Sequence, residues 1–330
     1  MKKLSLLLFS MVGILAAVYS QQAPTVKKTT FSVKELSKSA WNTADGIPYK
    51  QVPGANLGVT SFVIMDNNRV AYLSDASNEI LLVDRTNGKT NSKFTVKPGP
   101  RDFVYEQGVF FLLGENKVYL YDETGKLNRE IAFPGTYLGV GRIARHNKAT
   151  WLLLPSGNSV ELETGKQVTG WITSGNHSVS AVLSGGNSYT LSVIQPDGKK
   201  SEKTFQTDKK TAGVYIIGSD KDRIILDVQT YVSESPIRVE RHLIALSLHH
   251  GVIGDLTSDI KIPDCYYVLS GREFILGNTG TVYHMITSPK GVNLYSLTET
   301  ELVKAKSYPA DVSSILYHFN DHLSGASEKN

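Results

Sequence analysis

Short apolar or alternating segments rich in Val, Ile, Tyr and Phe recur through the middle of the chain, separated by turns of Gly, Asn and Asp. Between Leu57 and Val303 a helical spacing of apolar residues is hard to find. Segments of this length and composition are typical of strands with one or both faces buried. The pattern therefore predicts an all-β fold.

The predicted strands repeat in groups of four. The segments of the first group are residues 61–66, 70–75 and 80–84 and a stretch near Phe94. Those of the second are residues 102–105, 109–113, 117–122 and 131–133. Four further groups follow at residues 142–168, 178–205, 214–253 and 266–303. A repeat of about 40 residues is typical of propeller blades, which bury their faces only by stacking on neighbours.

A Gly-Lys turn lies at the same place in four of these groups. The glycines are Gly88, Gly125, Gly165 and Gly198. A tight reversal between adjacent strands needs a residue that tolerates positive φ, and glycine does so without a steric penalty. The recurrence predicts the turn before the last strand of each blade.

The first group resembles the NHL-like six-bladed propellers, in particular secreted bacterial members. The residues that carry the resemblance are Ser61, Phe62, Asp66, Tyr72, Leu73, Asp75, Asn78, Ile80, Asp84, Gly88 and Lys89. The second group matches through Asp102, Phe103, Val118, Tyr121, Asp122, Gly125 and Lys126, and later groups lose the Asp-x-x-Asn element. The resemblance implies a propeller of six blades with four antiparallel strands each, in a family that includes protein-binding modules and several enzymes.

The two ends flank a predicted propeller at residues 57–304. The N-terminal extension, residues 21–56, contains one strand candidate at residues 30–33, and the C-terminal extension covers residues 305–330. One end is expected to complete the last blade and close the ring, or both together would add a seventh. Closure matters because an open ring exposes unpaired strand edges.

The first 20 residues are typical of a secretory signal peptide. Lys2 and Lys3 precede an apolar run at residues 4–18, and small residues suit cleavage after Ser20. The run is shorter than a membrane-spanning helix needs. We expect a secreted or periplasmic product that has no membrane insertion after cleavage.

Charge and cysteine content narrow the function further. The formal net charge of +4 falls to about +2 once the two lysines of the signal peptide are removed. A near-neutral chain argues against nucleic acid as a partner, since binding it requires a concentrated basic face. Cys265 is the only cysteine, so no disulfide forms within the chain and stability must come from a core.

In a propeller, ligands usually bind the face that carries the connections between blades and the turns between the second and third strands. We expect seven ligand-binding residues on that face: Arg101, Asp102, Tyr137, Arg142, His177, Tyr231 and Tyr266.

Arg101 and Arg142 precede the innermost strands of neighbouring groups, so both could point to the axis and grip a carboxylate. Alternatively, each pairs with a neighbouring carboxylate such as Asp102 and joins two blades. The sequence leaves both readings open.

The histidines do not form a predicted metal site. His177 is the one histidine that we expect in a connection on the ligand face, whereas metal-dependent catalysis normally needs three convergent ligands. His318 and His322 are four residues apart, but no third ligand accompanies them. We therefore predict no catalytic residue, metal or cofactor.

Three functions are compatible with the sequence. The leading hypothesis is an exported binding or scaffolding module that engages a protein, a peptide or a glycan through its loop face. The competing hypothesis is a propeller enzyme, a lyase or hydrolase, with Arg101, Arg142, His177 and Tyr266 at the mouth of the channel. A third is a structural part of an envelope assembly.

Overall fold

The computed structural model describes residues 29–263, 267–309 and Val312. Within these residues the chain forms 26 β-strands and one short 3-10 helix, Leu302–Lys304. None of the helices in this part of the chain has the length and apolar character to span a membrane. The predicted signal peptide and most of the predicted C-terminal extension lie outside the described residues.

Four separate antiparallel sheets of four strands follow one another along the chain, and we number them units 1 to 4. Unit 1 contains β4 (Val59–Ile64), β5 (Arg69–Ser74), β6 (Glu79–Asp84) and β7 (Thr90–Thr95). Unit 2 contains β8 (Asp102–Glu106), β9 (Val109–Leu113), β10 (Lys117–Asp122) and β11 (Leu127–Ala132). Unit 3 contains β12 (Arg142–His146), β13 (Ala149–Leu153), β14 (Asn158–Glu161) and β15 (Gln167–Thr169). Unit 4 contains β16 (Trp171–Ile172), β17 (Ser178–Gly185), β18 (Ser188–Ile194) and β19 (Lys200–Gln206).

An eight-stranded sheet contains two further units of four strands. Unit 5 contains β20 (Thr211–Ser219), β21 (Arg223–Glu234), β22 (Ile237–His249) and β23 (Val252–Ile262). Unit 6 contains β24 (Phe274–Leu276), β25 (Val282–Ser288), β26 (Gly291–Glu301) and β1 (Thr29–Ala40). Units 5 and 6 are joined by a single parallel residue pair, Thr29 of β1 with Ser258 of β23.

The first strand of the described chain therefore lies beside the last. β1 runs antiparallel to β26 from Thr29 opposite Glu301 to Ala40 opposite Gly291, with a bulge between Glu35 and Ser37. This pairing covers the edge that β26 would otherwise expose, and it joins the two ends of the chain in one sheet. A small hairpin, β2 (Lys50–Val52) and β3 (Ala55–Leu57), lies in the connection from β1 to unit 1.

Buried side chains pack between neighbouring units. One cluster joins Leu73 and Ile80 of unit 1 to Phe103 and Phe110 of unit 2. Other clusters combine units 2 and 3, units 4 and 5, units 5 and 6, and units 6 and 1. Five of the six pairs of neighbouring sheets thus share a buried apolar cluster among the described residues. The prediction of an all-β propeller with four antiparallel strands per sheet is confirmed.

The strand directions define two faces. The linking face carries the connections between units and the turns between second and third strands, and the turn face carries the remaining turns. Gly88, Gly125, Gly165 and Gly198 all lie with φ between 73° and 85° in turns between third and fourth strands, as predicted. The fourth group was predicted to begin at Ser178, but its first strand is β16, at Trp171. This strand has only two residues, which is too short to produce a recognisable pattern.

Candidate functional site

The first strands of all six units line one central cavity of about 320 Å³. Its apolar wall includes Val63, Val104, Ala144, Ile216, Phe274 and Ile275. Its charged and polar wall includes Tyr105, Glu106, Arg142, Arg145, His146, Thr173, Ser174, Arg272 and Asn278. A cavity of this volume lies at the lower end of the range of small-molecule sites, and its wall combines apolar with charged groups.

The end of the connection between units 5 and 6, residues 271–273, lies at the axis on the linking face. The backbone N–H groups of Gly271 and Arg272 donate to the carbonyl oxygen of Thr60 in unit 1, at 2.8 and 3.1 Å. The carbonyl oxygen of Gly271 accepts a hydrogen bond from Nε of Arg142 in unit 3, at 3.1 Å. Residues 271–273 therefore cover this mouth of the channel.

Asp102 and Arg272 form an ion pair beneath this connection. The Asp102 carboxylate is fully buried and lies 2.5 Å from Nη2 of Arg272. It also accepts hydrogen bonds from the Ser61 hydroxyl at 2.5 Å and from the backbone N–H of Ile143 at 3.0 Å. One carboxylate thereby ties units 1, 2 and 3 to the connection that enters unit 6.

A second buried ion cluster lies between units 5 and 6. Nη2 of Arg241 lies 2.6 Å from Asp227 and 2.9 Å from Glu273. Burial raises the pKa of Glu273, although the charge of Arg241 and its hydrogen bond partly oppose that effect. Each of the three charges has an opposite partner, as buried charges require.

Arg142 differs from these arginines. Its half-buried guanidinium lies over the Trp171 ring, 5.5 Å from the ring centre, and no described carboxylate lies within 4 Å of it. Burial and the charge of Arg272 lower its pKa, and the carboxylates of Asp102, Glu273 and Asp227 act in the opposite direction. The channel thus contains one cation without a direct ionic partner in the described part of the chain.

Towards the turn face, the cavity is lined by polar groups that are already engaged. Arg145 pairs with Glu106 and donates to the Thr150 hydroxyl at 2.9 Å. Burial, aided by the charge of Arg272, lowers the pKa of His146 to about 4, so this imidazole is neutral near pH 7. The Ser174 hydroxyl donates to the carbonyl oxygen of Ser219 at 2.6 Å.

The structure brings only part of the predicted site together. Arg142 lines the cavity, and Asp102 lies near it but pairs with Arg272. Arg101 is not part of the cavity wall, and its Nη1 donates to the carbonyl oxygen of Val140 at 3.2 Å. The two arginines therefore do not form the convergent pair that could grip a carboxylate.

The remaining predicted residues are dispersed. Tyr137 lies in the connection between units 2 and 3 and packs against Phe133, with ring centres 6.5 Å apart. Tyr231 was predicted in a loop, but it belongs to β21, which is longer than the pattern suggested. Tyr266 lies outside the described residues, as does Cys265.

His177 occupies the face opposite to the one predicted. It ends the tight turn between β16 and β17, where the backbone N–H of Thr173 donates to the carbonyl oxygen of His177. The prediction was wrong because β16 was not recognised, so a turn inside unit 4 was interpreted as a connection between units. Burial lowers the pKa of His177.

The residues that sequence reasoning missed are Asp227, Arg241, Arg272 and Glu273. Their signal was a charged residue inside or beside an apolar strand, as with Asp227 after residues 224–226. No described group of three or more His, Cys, Asp or Glu side chains is arranged to hold a metal ion.

The linking face also carries exposed aliphatic side chains. Leu138 is 87% exposed in the connection between units 2 and 3, and Leu269 is 75% exposed in the connection between units 5 and 6. Ile237 is 74% exposed at the tip of the β21–β22 hairpin. Val182, Leu183 and Val232 are also exposed on strands that approach this face. We call these six residues the aliphatic rim.

Comparison with known proteins assigns no family to this chain. No protein-family model and no curated protein sequence matches this chain. Similar solved structures are β-propellers. A streptogramin B lyase is 12% identical, with 82% of this chain and 98% of that chain covered and a TM-score of 0.41. The Neurospora crassa Pan2 WD40 domain is 10% identical, with 80% and 95% covered and a TM-score of 0.46.

The Cps50 (Swd1) β-propeller domain of Myceliophteria thermophila is 10% identical, with 86% and 99% covered and a TM-score of 0.44. Because all three TM-scores are below 0.5, the description of the fold rests on the strand order. The chain is a β-propeller.

Proposed function

We propose that this chain is an exported binding or scaffolding module whose six units are the blades of one ring and whose linking face docks a protein partner. The observation that carries the proposal is the aliphatic rim. Among the described residues, ten large hydrophobic side chains are exposed, and six of them belong to the rim. Single exposed apolar residues are ordinary, but their concentration on one face is typical of an interaction surface.

The charges at the axis favour contact at the rim. Residues 271–273 cover the channel mouth on this face, and the Asp102–Arg272 and Arg241–Glu273 ion pairs lie beside them. Separating those pairs to admit a ligand would leave buried charges without partners, which is strongly unfavourable. A partner on the linking face therefore gains more from the exposed aliphatic groups than from the centre.

The β21–β22 hairpin is held firmly at its base. Lys209 and Lys261 lie 2.6 and 2.8 Å from Glu240, and their hydrogen bonds lower the pKa of that carboxyl to about 2. Lys210 lies 2.9 Å from Glu234 nearer the tip. These ion pairs add to the backbone pairing of β21 with β22, which extends to Glu234 opposite Ile237 and so keeps Ile237 at the tip of the hairpin.

A protein partner fits the rim better than a glycan does. Burying aliphatic side chains against an apolar protein surface is favourable because it removes them from water. The hydroxyl groups of a glycan instead need hydrogen-bonding partners. Export is proposed from the charged start and the apolar run in the first 20 residues, which lie outside the described residues.

The experiment is a quantitative pull-down from the native envelope fraction, with residues 21–330 as bait. The test variant is Ile237→Ser with Leu269→Ser, both on the linking face. The control is Val252→Ser with Leu302→Ser, which removes two similarly exposed aliphatic groups away from that face. We expect one protein to be captured by the wild type and the control but lost by the test variant. Equal capture by both variants, or capture of nothing by the wild type, would contradict the proposal.

A further inference from the structure

Arg142 is a cation in the channel for which the described residues supply no ionic partner. Nε of Arg142 donates to the carbonyl oxygen of Gly271, and the guanidinium face lies against Trp171. These two contacts hold the plane of the group in position. Its two Nη groups make no hydrogen bond to any described residue, so the forked end of the side chain is available to a ligand.

The other charged side chains of the cavity wall do not compensate this cation. Glu106 is paired with Arg145, and Arg272 is paired with Asp102. His146 is neutral near pH 7. The described wall therefore carries about one net positive charge, located on Arg142. Burial makes this charge unfavourable, and the more distant carboxylates of Glu273 and Asp227 offset only part of that cost. A bound anion would relieve the remainder.

The rest of the wall is suited to an apolar body. Val104, Ile217 and Ile275 are half-buried side chains on the first strands of units 2, 5 and 6. A ligand that is only a small inorganic anion would leave this surface in contact with water. A ligand that carries both a charged head and an apolar chain would satisfy both parts of the wall.

We propose that the cavity binds an organic monocarboxylate, with the carboxylate on the two Nη groups of Arg142 and the apolar body against Val104, Ile217 and Ile275. The planar fork of a guanidinium matches the two oxygens of a carboxylate. The cavity volume of about 320 Å³ is at the lower end of the range for small-molecule sites. This site goes beyond the rim of the proposed function and is independent of it.

The route of entry follows from the fold. Residues 271–273 cover the mouth at the linking face, while the cavity continues towards the turn face as far as His146, Ser174 and Asn278. The ligand therefore enters from the turn face, and a protein docked on the rim would leave the site accessible.

The test is isothermal titration of the mature protein with sodium hexanoate. We expect measurable binding of hexanoate and at least about tenfold weaker binding of hexan-1-ol, which has a chain of the same length without the charge. Inorganic phosphate is the third probe. Equal affinity for hexanol, tighter binding of phosphate than of hexanoate, or no binding of hexanoate would each overturn the proposal.

Variants locate the site. Arg142→Gln is expected to weaken hexanoate binding at least about tenfold, and Arg142→Lys to weaken it less because the charge remains while the fork is lost. Arg129→Gln is the matched control, since Arg129 is exposed on β11 and lies outside the cavity. Melting curves check that each variant folds. If Arg142→Gln does not fold, Arg142→Lys alone tests the proposal. Unchanged hexanoate affinity in a folded Arg142 variant would show that the site lies elsewhere.

Discussion

Removal of the Asp102 carboxylate should destabilise the fold more than removal of any exposed carboxylate. Asp102 is fully buried, and it accepts hydrogen bonds from Ser61, Ile143 and Arg272. Alanine at this position leaves a hydroxyl, a backbone N–H and a guanidinium without their acceptor. The side chain of Arg272 is itself only 13% exposed, so water cannot fully replace the lost partner.

The magnitude follows from what is left behind. Breaking a buried ion pair by removing one partner costs about 3–5 kcal/mol, because the other charge stays buried without compensation. A typical domain is stable by about 5–15 kcal/mol, so the loss is a large part of the total. We expect Asp102→Ala to lower the free energy of unfolding by about 3–5 kcal/mol.

The assay is urea unfolding followed by tryptophan fluorescence, with Asp208→Ala as the control. Asp208 is exposed and has no described ion-pair partner, so its replacement should change the free energy of unfolding by less than about 0.5 kcal/mol. Arg272→Ala and the double variant complete a mutant cycle, in which we expect a coupling of about 2 kcal/mol. A loss below about 1 kcal/mol for Asp102→Ala, or a coupling near zero, would refute the assigned role.

Three further predictions concern the turns, the channel and the ring. Gly88→Ala should lower the free energy of unfolding more than Gly198→Ala does. Both glycines have positive φ, so both substitutions strain the backbone. A Cβ on Gly88 would also lie 2.0 Å from the carbonyl oxygen of Lys38, whereas one on Gly198 would meet nothing within 4 Å. Lowering the pH from 7 to 5 should reduce the free energy of unfolding by about 2 kcal/mol through His146. Burial holds the pKa of His146 near 4 in the folded protein, so the unfolded chain takes up the proton at a higher pH. The His146→Gln variant should lose that part of the pH dependence. Deletion of residues 29–40 should abolish the folded monomer, as judged by circular dichroism and gel filtration, because it exposes the edge of β26.

Each of these predictions has a distinct contrary result. Equal unfolding free energies for the two glycine variants would mean that the contact with Lys38 is not close. An unchanged pH profile in His146→Gln would mean that this imidazole is solvated. A stable folded monomer after the deletion would mean that β1 is dispensable.

The all-β fold could be predicted because each strand carries its own local signal. Alternating apolar residues identified most strands, and the Gly-Lys turns marked the start of the fourth strand in four units. β1 was only partly visible, as residues 30–33, because much of it presents polar side chains to solvent. β16 was missed because two residues cannot display a period.

The site was harder to predict because it depends on contacts between distant segments. Asp102 pairs with Arg272, 170 residues later in the chain, rather than with the adjacent Arg101. Arg142 lines the channel, which was one of the two readings that the sequence left open, but its contact with Gly271 depends on a distant connection between units 5 and 6. Charge and spacing along the chain do not contain this information, since it arises only when the ring closes.

The central claim is that β1 closes the propeller by pairing with β26, and hydrogen exchange measured by mass spectrometry tests it most directly. In a protein of residues 21–330, we expect amides of residues 30–39 that bond to β26 to exchange as slowly as those of β25 and β26. Exchange of the whole β1 segment at the rate of an unstructured peptide, with β26 still protected, would contradict the closed ring.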